Sequence, residues 1–566
     1  MKQKTALLLG LLFLTIGAIA AIIIIANYSA ILHKAENYVS KNYLLKSFDE
    51  KLLSDYYLPE QYDLDVLHYT IQLDLFPEQK SIRGKITIKS LLKKASNEVY
   101  LNFYDNLEIE KVLLNNNSIN FKRDKFHLKL FSSSLLKDTI TIYIEYSGKP
   151  KSLGFGSFEF GEESGKSVIY TLNEPVFAST WLPCNDLPTD KAYTDLFITN
   201  DTPNVSVSNG ILIDQSVNGS RKTFHWRTLY PISTYLIAIY SAPYKSFTDK
   251  FITENGKVLP LVYYVTPEKL KNAKIDFEEH PQYLNFFTKT FGEYPFIKEK
   301  YGVAEFLWNY GAMEHQTITG IGSKFITGKK FFSDMLVHEL AHQWWGDAVT
   351  PKTWDDIWLN EGFATYSEAL YWENYAGKDA LISTMQSFSG NFDSGTLYHP
   401  FDNIFNRMVY DKGAWVLHML RGEVGDSAFF HILKTYYYEY RYKNASTRDF
   451  EDVCEKISGK NLDYFFYQWI YKGVGIPNIV YKWGISSADS KYLIWVKISQ
   501  IQKSFSIFKF PLVIRFYFDE NNFNDEKFYI TTRDTVVQFK APQYVKNIRL
   551  NPENWLLAVI KQEKQK

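Results

Sequence analysis

The sequence is poor in cysteine, proline and glycine. Two cysteines, Cys184 and Cys454, in 566 residues exclude a disulfide scaffold and any thiolate-rich zinc or iron–sulfur site, and leave room for one disulfide at most. With 19 Pro and 29 Gly, the chain is neither collagen-like nor a low-complexity disordered segment. Net charge is lacking as well. The 63 Lys+Arg balance 63 Asp+Glu, so there is no basic footprint for nucleic acid and no acidic tail, and nucleic acid is not an expected partner. Apolar residues are plentiful instead: 46% hydrophobic and 17% aromatic supply packed cores. The length corresponds to about three or four domains.

Residues 5–26 (TALLLGLLFLTIGAIAAIIIIA) carry no charge. At about 1.5 Å rise per residue they span about 33 Å, enough for a hydrocarbon core of about 30 Å. A secretory signal begins with the same kind of basic residues, here Lys2 and Lys4, but its apolar region is about 7–15 residues long. Ala18-Ile19-Ala20 offers a nominal cleavage pattern, yet cleavage there would leave Ile22 to Ile25 near a new terminus. The expectation is therefore a single-pass anchor over 1–30 and a linker over 31–54, with the bulk of the chain extracytoplasmic. Secretion after signal cleavage is the alternative.

Between about residues 55 and 245 the chain reads as strands and turns. Tyr69, Ile71, Leu73 and Leu75 alternate with polar residues, as do Ile82, Gly84, Ile86 and Ile88, and again Ile140, Ile142 and Ile144, the period of a half-buried strand. Asn115-Asn116-Asn117 and Ser208-Asn209-Gly210 punctuate such runs as turns. From about residue 273 the apolar spacing lengthens to three and four, predicting helices over 331–345, 358–375, 412–423, 429–442 and 462–471, with Gly346 placed as a helix stop. Beyond Pro477 the strand period returns, with Ile494, Val496 and Ile498 alternating. The reading is a multidomain α+β chain: a β-sandwich-like domain over 55–245, a mainly helical domain over 246–475 and a small β-sandwich over 476–566.

His338-Glu339-Leu340-Ala341-His342 falls inside the helix predicted over 331–345. Two imidazoles at i and i+4 project from one face and can chelate one ion. Neutral imidazoles suit zinc, and a catalytic zinc needs a third protein ligand while keeping a position open for water. Glu361, at the start of the next predicted helix, can supply it. Glu339 neighbours both histidines without having to bind metal, which is where a general base for a water nucleophile belongs.

These residues and their flanks resemble the gluzincin zinc aminopeptidases of the M1 type, the family of aminopeptidase N. Val337-His338-Glu339-Leu340-Ala341-His342-Gln343-Trp344-Trp345-Gly346 and Trp354-Asp355-Asp356-Ile357-Trp358-Leu359-Asn360-Glu361-Gly362-Phe363-Ala364 follow the family pattern almost throughout, and Trp181-Leu182-Pro183-Cys184-Asn185-Asp186 is a weaker match. The resemblance implies a thermolysin-like catalytic domain holding one zinc ion per chain through His338, His342 and Glu361. It further implies peptides with a free N-terminus as substrates. Gly311-Ala312-Met313-Glu314-His315 resembles the family's exopeptidase loop, which implies that Glu314 pairs with the substrate ammonium while Gly311, Ala312 and Met313 line the substrate. Tyr410, in Val409-Tyr410-Asp411-Lys412-Gly413-Ala414, matches the tyrosine that donates to the oxyanion.

The chain also departs from the pattern. His315 stands where Asn is usual, which would alter the loop's hydrogen bonding or titrate near neutral pH. Leu172 stands where many members carry a glutamine and Ser179 where an arginine is common, so that supporting contact to the substrate amine is not expected from these positions, with Glu174 or Asn173 as candidate substitutes. An endopeptidase or another hydrolase with a relaxed amine clamp is the alternative activity. A catalytically silent scaffold would show broken ligands, whereas His338, Glu339, His342, Glu361 and Tyr410 are all present. Cys184 is read as a packing residue.

Overall fold

A computed structural model describes residues 55–400, 404–488 and 491–563. The expected anchor and linker lie outside these residues. Among the described residues no helix is long and apolar enough to cross a membrane.

The alternating N-terminal sequence folds as its period dictates. Strands β1 (Leu64–Phe76) and β2 (Ser81–Asn102) pair antiparallel with Ile71 opposite Ile86 and Leu73 opposite Gly84. Their inward residues Tyr69, Ile71, Leu73, Leu75, Ile82, Ile86 and Ile88 are all buried. Both belong to a nine-stranded sheet, next to which lies a four-stranded sheet containing β3 (Lys166–Leu172). Two residues past the end of β3 comes Glu174, which reaches the candidate site.

The helical region holds a sheet that the sequence reading missed. Lys245–Ile252, Val258–Val265, β4 (Tyr301–Phe306), β5 (Ala312–Met313) and β6 (Thr319–Gly322) form five strands, with β5 on the edge beside β6. Strand β4 is buried at every position, so it carries no alternation to distinguish it from a helical segment.

The predicted helices are present with shifted ends. Helix α1 (Ser333–Ala341) is shorter than the expected 331–345, and His342 takes its C-cap at φ −57 and ψ −24. That conformation is still helical, so the spacing of His338 and His342 survives. Helix α2 (Trp358–Ala376) is buried continuously from Trp358 to Ser367, the mark of a central helix surrounded on all sides. Helix α3 (Gly413–Val424) follows a π-helical turn, Met408–Lys412. Where α2 and α3 cross, a Cβ on Gly362 would lie 2.9 Å from the Gly413 Cα, so only glycine allows this separation. The crossing brings the π turn, and with it Tyr410, alongside the first turn of α2. Residues 429–442 and 462–471 form Asp426–Tyr440 and a short helix, Asp463–Phe466, followed by a second π turn.

From Asn478 onward the strands form a four-stranded and a three-stranded sheet. Phe516 of one stacks on Phe539 of the other, with ring centroids 4.5 Å apart. This part docks on α3 through Trp555, which stacks on His418 at 4.5 Å. Cys184 and Cys454 are both buried and free, as packing residues should be.

Candidate active site and metal centre

The expected ligands converge. His338 Nε2 and His342 Nε2 lie 3.0 Å apart, and Glu361 Oε2 is 3.5 Å from the first and 3.4 Å from the second. Three ligand atoms at about 2.0–2.1 Å from a tetrahedral ion would be separated by about 3.4 Å. The donor set therefore fits zinc without rearrangement. Glu361 is in the first turn of α2, where exposed amides and the helix dipole favour a negative charge. Burial opposes that charge, but the two imidazoles win and hold the Glu361 carboxyl down at about 2. Reciprocally, burial disfavours protonation of His338, and the carboxylates of Glu361 and Glu368 outweigh it. The pocket attracts positive charge.

Each imidazole is oriented from behind. His338 Nδ1 is 2.8 Å from Glu368 Oε1, and His342 Nδ1 donates to the Trp345 carbonyl at 2.9 Å. Holding the outer ring nitrogen this way sets the tautomer that leaves Nε2 as an electron-pair donor. Glu368 was not singled out from the sequence. Its signal was available: it lies two helical turns beyond Glu361 on α2, and hence on the same face. Trp345 O is presented by a turn in which Gly346 adopts φ +126, and a side chain there would press on Asn360 Nδ2 at 3.1 Å.

Glu339 is buried, and its Oε2 has no hydrogen-bond partner. Burial, assisted by Glu314 and Glu361 against the pull of the imidazoles, pushes its carboxyl up to about 8. A carboxylate beside the ligand cluster can take a proton from water and return it to a leaving group. The Tyr410 ring lies roughly parallel to that of His338, with 6.1 Å between centroids. It is carried by the π turn, an irregularity that re-aims side chains.

The third part of the site is acidic. Glu314 follows edge strand β5, whose Ala312 and Met313 pair with Ile321 and Gly320, and Gly311 accepts from Gly322 N at 3.1 Å. Glu314, Glu339 and His342 offer atoms within 4.8 Å of one another, as do Glu174, Glu314 and Glu361. Glu174 Oε1 and Glu314 Oε1 are buried without a partner. Burial raises the carboxyl of Glu174, and Glu314 raises it further. Of the two candidate substitutes for the missing glutamine, Glu174 reaches the site and Asn173 does not. Asn173 is occupied by the Ile237 carbonyl at 2.7 Å and Trp181 Nε1 at 2.9 Å. Leu172 is buried as an ordinary apolar residue, and Ser179 bonds Tyr56 Oη at 2.6 Å.

His315 corrects an expectation. It is fully buried, with Nδ1 2.6 Å from Tyr240 Oη, and burial pushes its pKa down to about 3. It therefore stays neutral through the physiological range and acts as a packing and hydrogen-bonding residue.

The comparisons with known proteins agree with this geometry. The model of the peptidase family M1 domain matches residues 275–469, and that of the peptidase M1 N-terminal domain matches residues 62–236. Probable aminopeptidase 2 of Sulfurisphaera tokodaii is 29% identical over 419 residues, covering 69% of this chain and 53% of its own. The chain spans about half the length of the curated relatives it matches. In fold it is similar to Legionella pneumophila aminopeptidase A in complex with aspartic acid, at a TM-score of 0.79 and 19% identity over 91% of this chain and 61% of that one. It is also similar to an M1 zinc metallopeptidase mutant from Deinococcus radiodurans bound to a Tyr-Ser-Ala substrate, at a TM-score of 0.64 and 25% identity, covering 73% of this chain and 95% of that one. With both domain models matched in order and the His338, His342 and Glu361 donors gathered on α1 and α2, the chain belongs to peptidase family M1.

Proposed function

We propose that this chain is a zinc-dependent aminopeptidase that removes the N-terminal residue of peptides, with one zinc ion held by His338, His342 and Glu361. The observation that carries the reading is the pair of buried carboxylates, Glu174 and Glu314, whose ligand atoms lie within 4.8 Å of each other and of Glu361. A peptide ammonium placed between them is paired twice, and its scissile carbonyl is thereby set at a fixed distance from the ligand cluster. Zinc, when bound, supplies Lewis-acid polarisation of the carbonyl and acidifies water. Glu339 takes a proton from the attacking water as its oxygen bonds to the carbonyl carbon, and delivers it to the amine nitrogen as the C–N bond breaks. The Tyr410 hydroxyl donates to the carbonyl oxygen as it becomes negative. Edge strand β5 offers main-chain groups on which an extended substrate can lie.

The test is the initial rate on aminoacyl-fluorophore substrates, each paired with its N-acetylated form, before and after chelation and zinc restoration. Hydrolysis confined to free-amine substrates and recovered with zinc is the expected result. Equal cleavage of blocked substrates would remove the amine clamp and leave an endopeptidase or another hydrolase. We further propose that residues 5–26 anchor the chain as a single span with the catalytic part extracytoplasmic, supported by a charge-free length sufficient for a bilayer. Carbonate extraction of membranes checks this, since a cleaved, secreted form would appear in the soluble fraction.

A further inference from the structure

The turn after α1 is held from outside its own domain. Tyr235 Oη donates to the Gly346 carbonyl at 3.0 Å, and Lys191 Nζ donates to those of Asp347 at 2.9 Å and Ala348 at 3.1 Å. Both side chains come from the N-terminal β region, more than 100 residues earlier. Thr350 Oγ1 adds a local bond to the Gly346 carbonyl and another to that of Asp347 at 3.1 Å. The same turn presents the Trp345 carbonyl to His342 Nδ1, and it is closed by Asp347 N to His342 O at 3.1 Å and Gly346 N to Val349 O at 2.9 Å.

We propose that Lys191 is a positioning residue for His342. Its ammonium pins the carbonyls of residues 347 and 348, and through that short turn it fixes the Trp345 carbonyl that orients the imidazole. The inference rests on the zinc reading above. The C-terminal end of a helix carries partial negative charge and unsatisfied carbonyls, and a cation donating to two of them makes charge-assisted bonds. Burial pushes Lys191 down to about 7, with Asp347 opposing, so the site holds this amine at a desolvation cost that a solvated lysine would not meet. A second lysine shows what the arrangement looks like without a ligand behind it. Lys300 Nζ donates to the carbonyls of Ser208 at 2.9 Å and Gly210 at 2.7 Å. It is the more buried of the two and also bonds two carbonyls, on a turn that holds residues 316 and 317 rather than the carbonyl behind His342. Lys300→Met is therefore a control, on the metal measurements, for loss of an amine that bonds two turn carbonyls.

The experiment uses the full chain in four forms: wild type, Lys191→Met, Lys191→Arg and Lys300→Met. Zinc dissociation constants are measured by competition with a chromophoric chelator, and the cobalt(II)-substituted proteins by visible absorption, alongside Tm, kcat and KM. Lys191→Met is expected to raise the zinc dissociation constant about 10-fold, alter the cobalt spectrum and lower kcat with little change in KM. Lys191→Arg is expected to recover both metal readouts, and Lys300→Met to lower Tm with both metal readouts unchanged. A zinc dissociation constant and cobalt spectrum in Lys191→Met indistinguishable from wild type would overturn the proposal. If Lys191→Met does not fold, Tyr235→Phe, which removes a donor from the same turn, is read by the same criterion. Failure of the wild type to bind zinc would overturn the zinc reading and this one together, whereas normal binding in wild type and Lys191→Met alike would overturn this one alone.

Discussion

Glu339 sits between two imidazoles with one oxygen unpartnered, and a single-atom change separates its chemistry from its packing. Glu339→Gln keeps the shape and removes the proton acceptor. The expected outcome is a fall in kcat of about 10²–10⁴-fold with zinc content unchanged by metal analysis. Substantial residual turnover would refute the role. Glu368→Gln tests the backing of His338: a zinc dissociation constant raised about 10–100-fold is expected, measured by chelator competition. Glu314→Ala should erase the discrimination between free and acetylated amines in the paired-substrate assay. His315 supplies a pH prediction. Its folded pKa of about 3 lies below the unfolded value of about 6.5, so its contribution to stability is complete above pH 6.5. That contribution is lost as pH falls toward 3, because only the unfolded chain takes up the proton. Between pH 8 and pH 5, His315→Asn should therefore lose about 2 kcal/mol less stability than wild type, measured by urea denaturation.

At the level of elements, the site depends on how closely α2 and α3 approach. Alanine usually stabilises a helix interior by about 1 kcal/mol over glycine. At Gly413 the added Cβ would lie 2.8 Å from the Gly362 Cα, and overpacking of this kind costs about 1–3 kcal/mol. Gly413→Ala should thus lower Tm, reversing the ordinary sign. It should also lower kcat, because the π turn carrying Tyr410 moves away from α2. A raised Tm would show that the crossing has slack. The helices themselves were legible in the sequence, since apolar spacing of three and four is a local property. Strand β4 of the central five-stranded sheet was not, because it is buried at every position and such a run has no period to read. Helix α1 ends four residues early, passing after Ala341 into a tightened turn in which Gly346 takes a positive φ.

For the whole molecule, metal binding and folding should be linked. An ion that binds only the folded state at 100 times its dissociation constant adds about 2.7 kcal/mol, so zinc added to chelated protein should raise Tm, and Glu361→Ala should abolish the rise. Sequence alone determined the spacing of His338 and His342, the nearness of Glu339 and the alternation of β1 and β2, because each is set by helix or strand geometry over a few residues. It singled out Glu361 as a third donor at the start of the next helix, and the packing of α2 against α1 brings that carboxylate to the histidines. It also singled out Glu314 and Tyr410 through their flanking motifs. Only the tertiary structure decided that Glu174 joins Glu314 while Asn173 is consumed by Trp181 and Ile237, that Glu368 backs His338, and that His315 is neutral. The same holds for the hold of Lys191 and Tyr235 on the turn behind His342. These outcomes depend on burial and on contacts between residues tens to hundreds of positions apart, and local periodicity carries no information about which distant side chain will arrive or how much water it will leave behind.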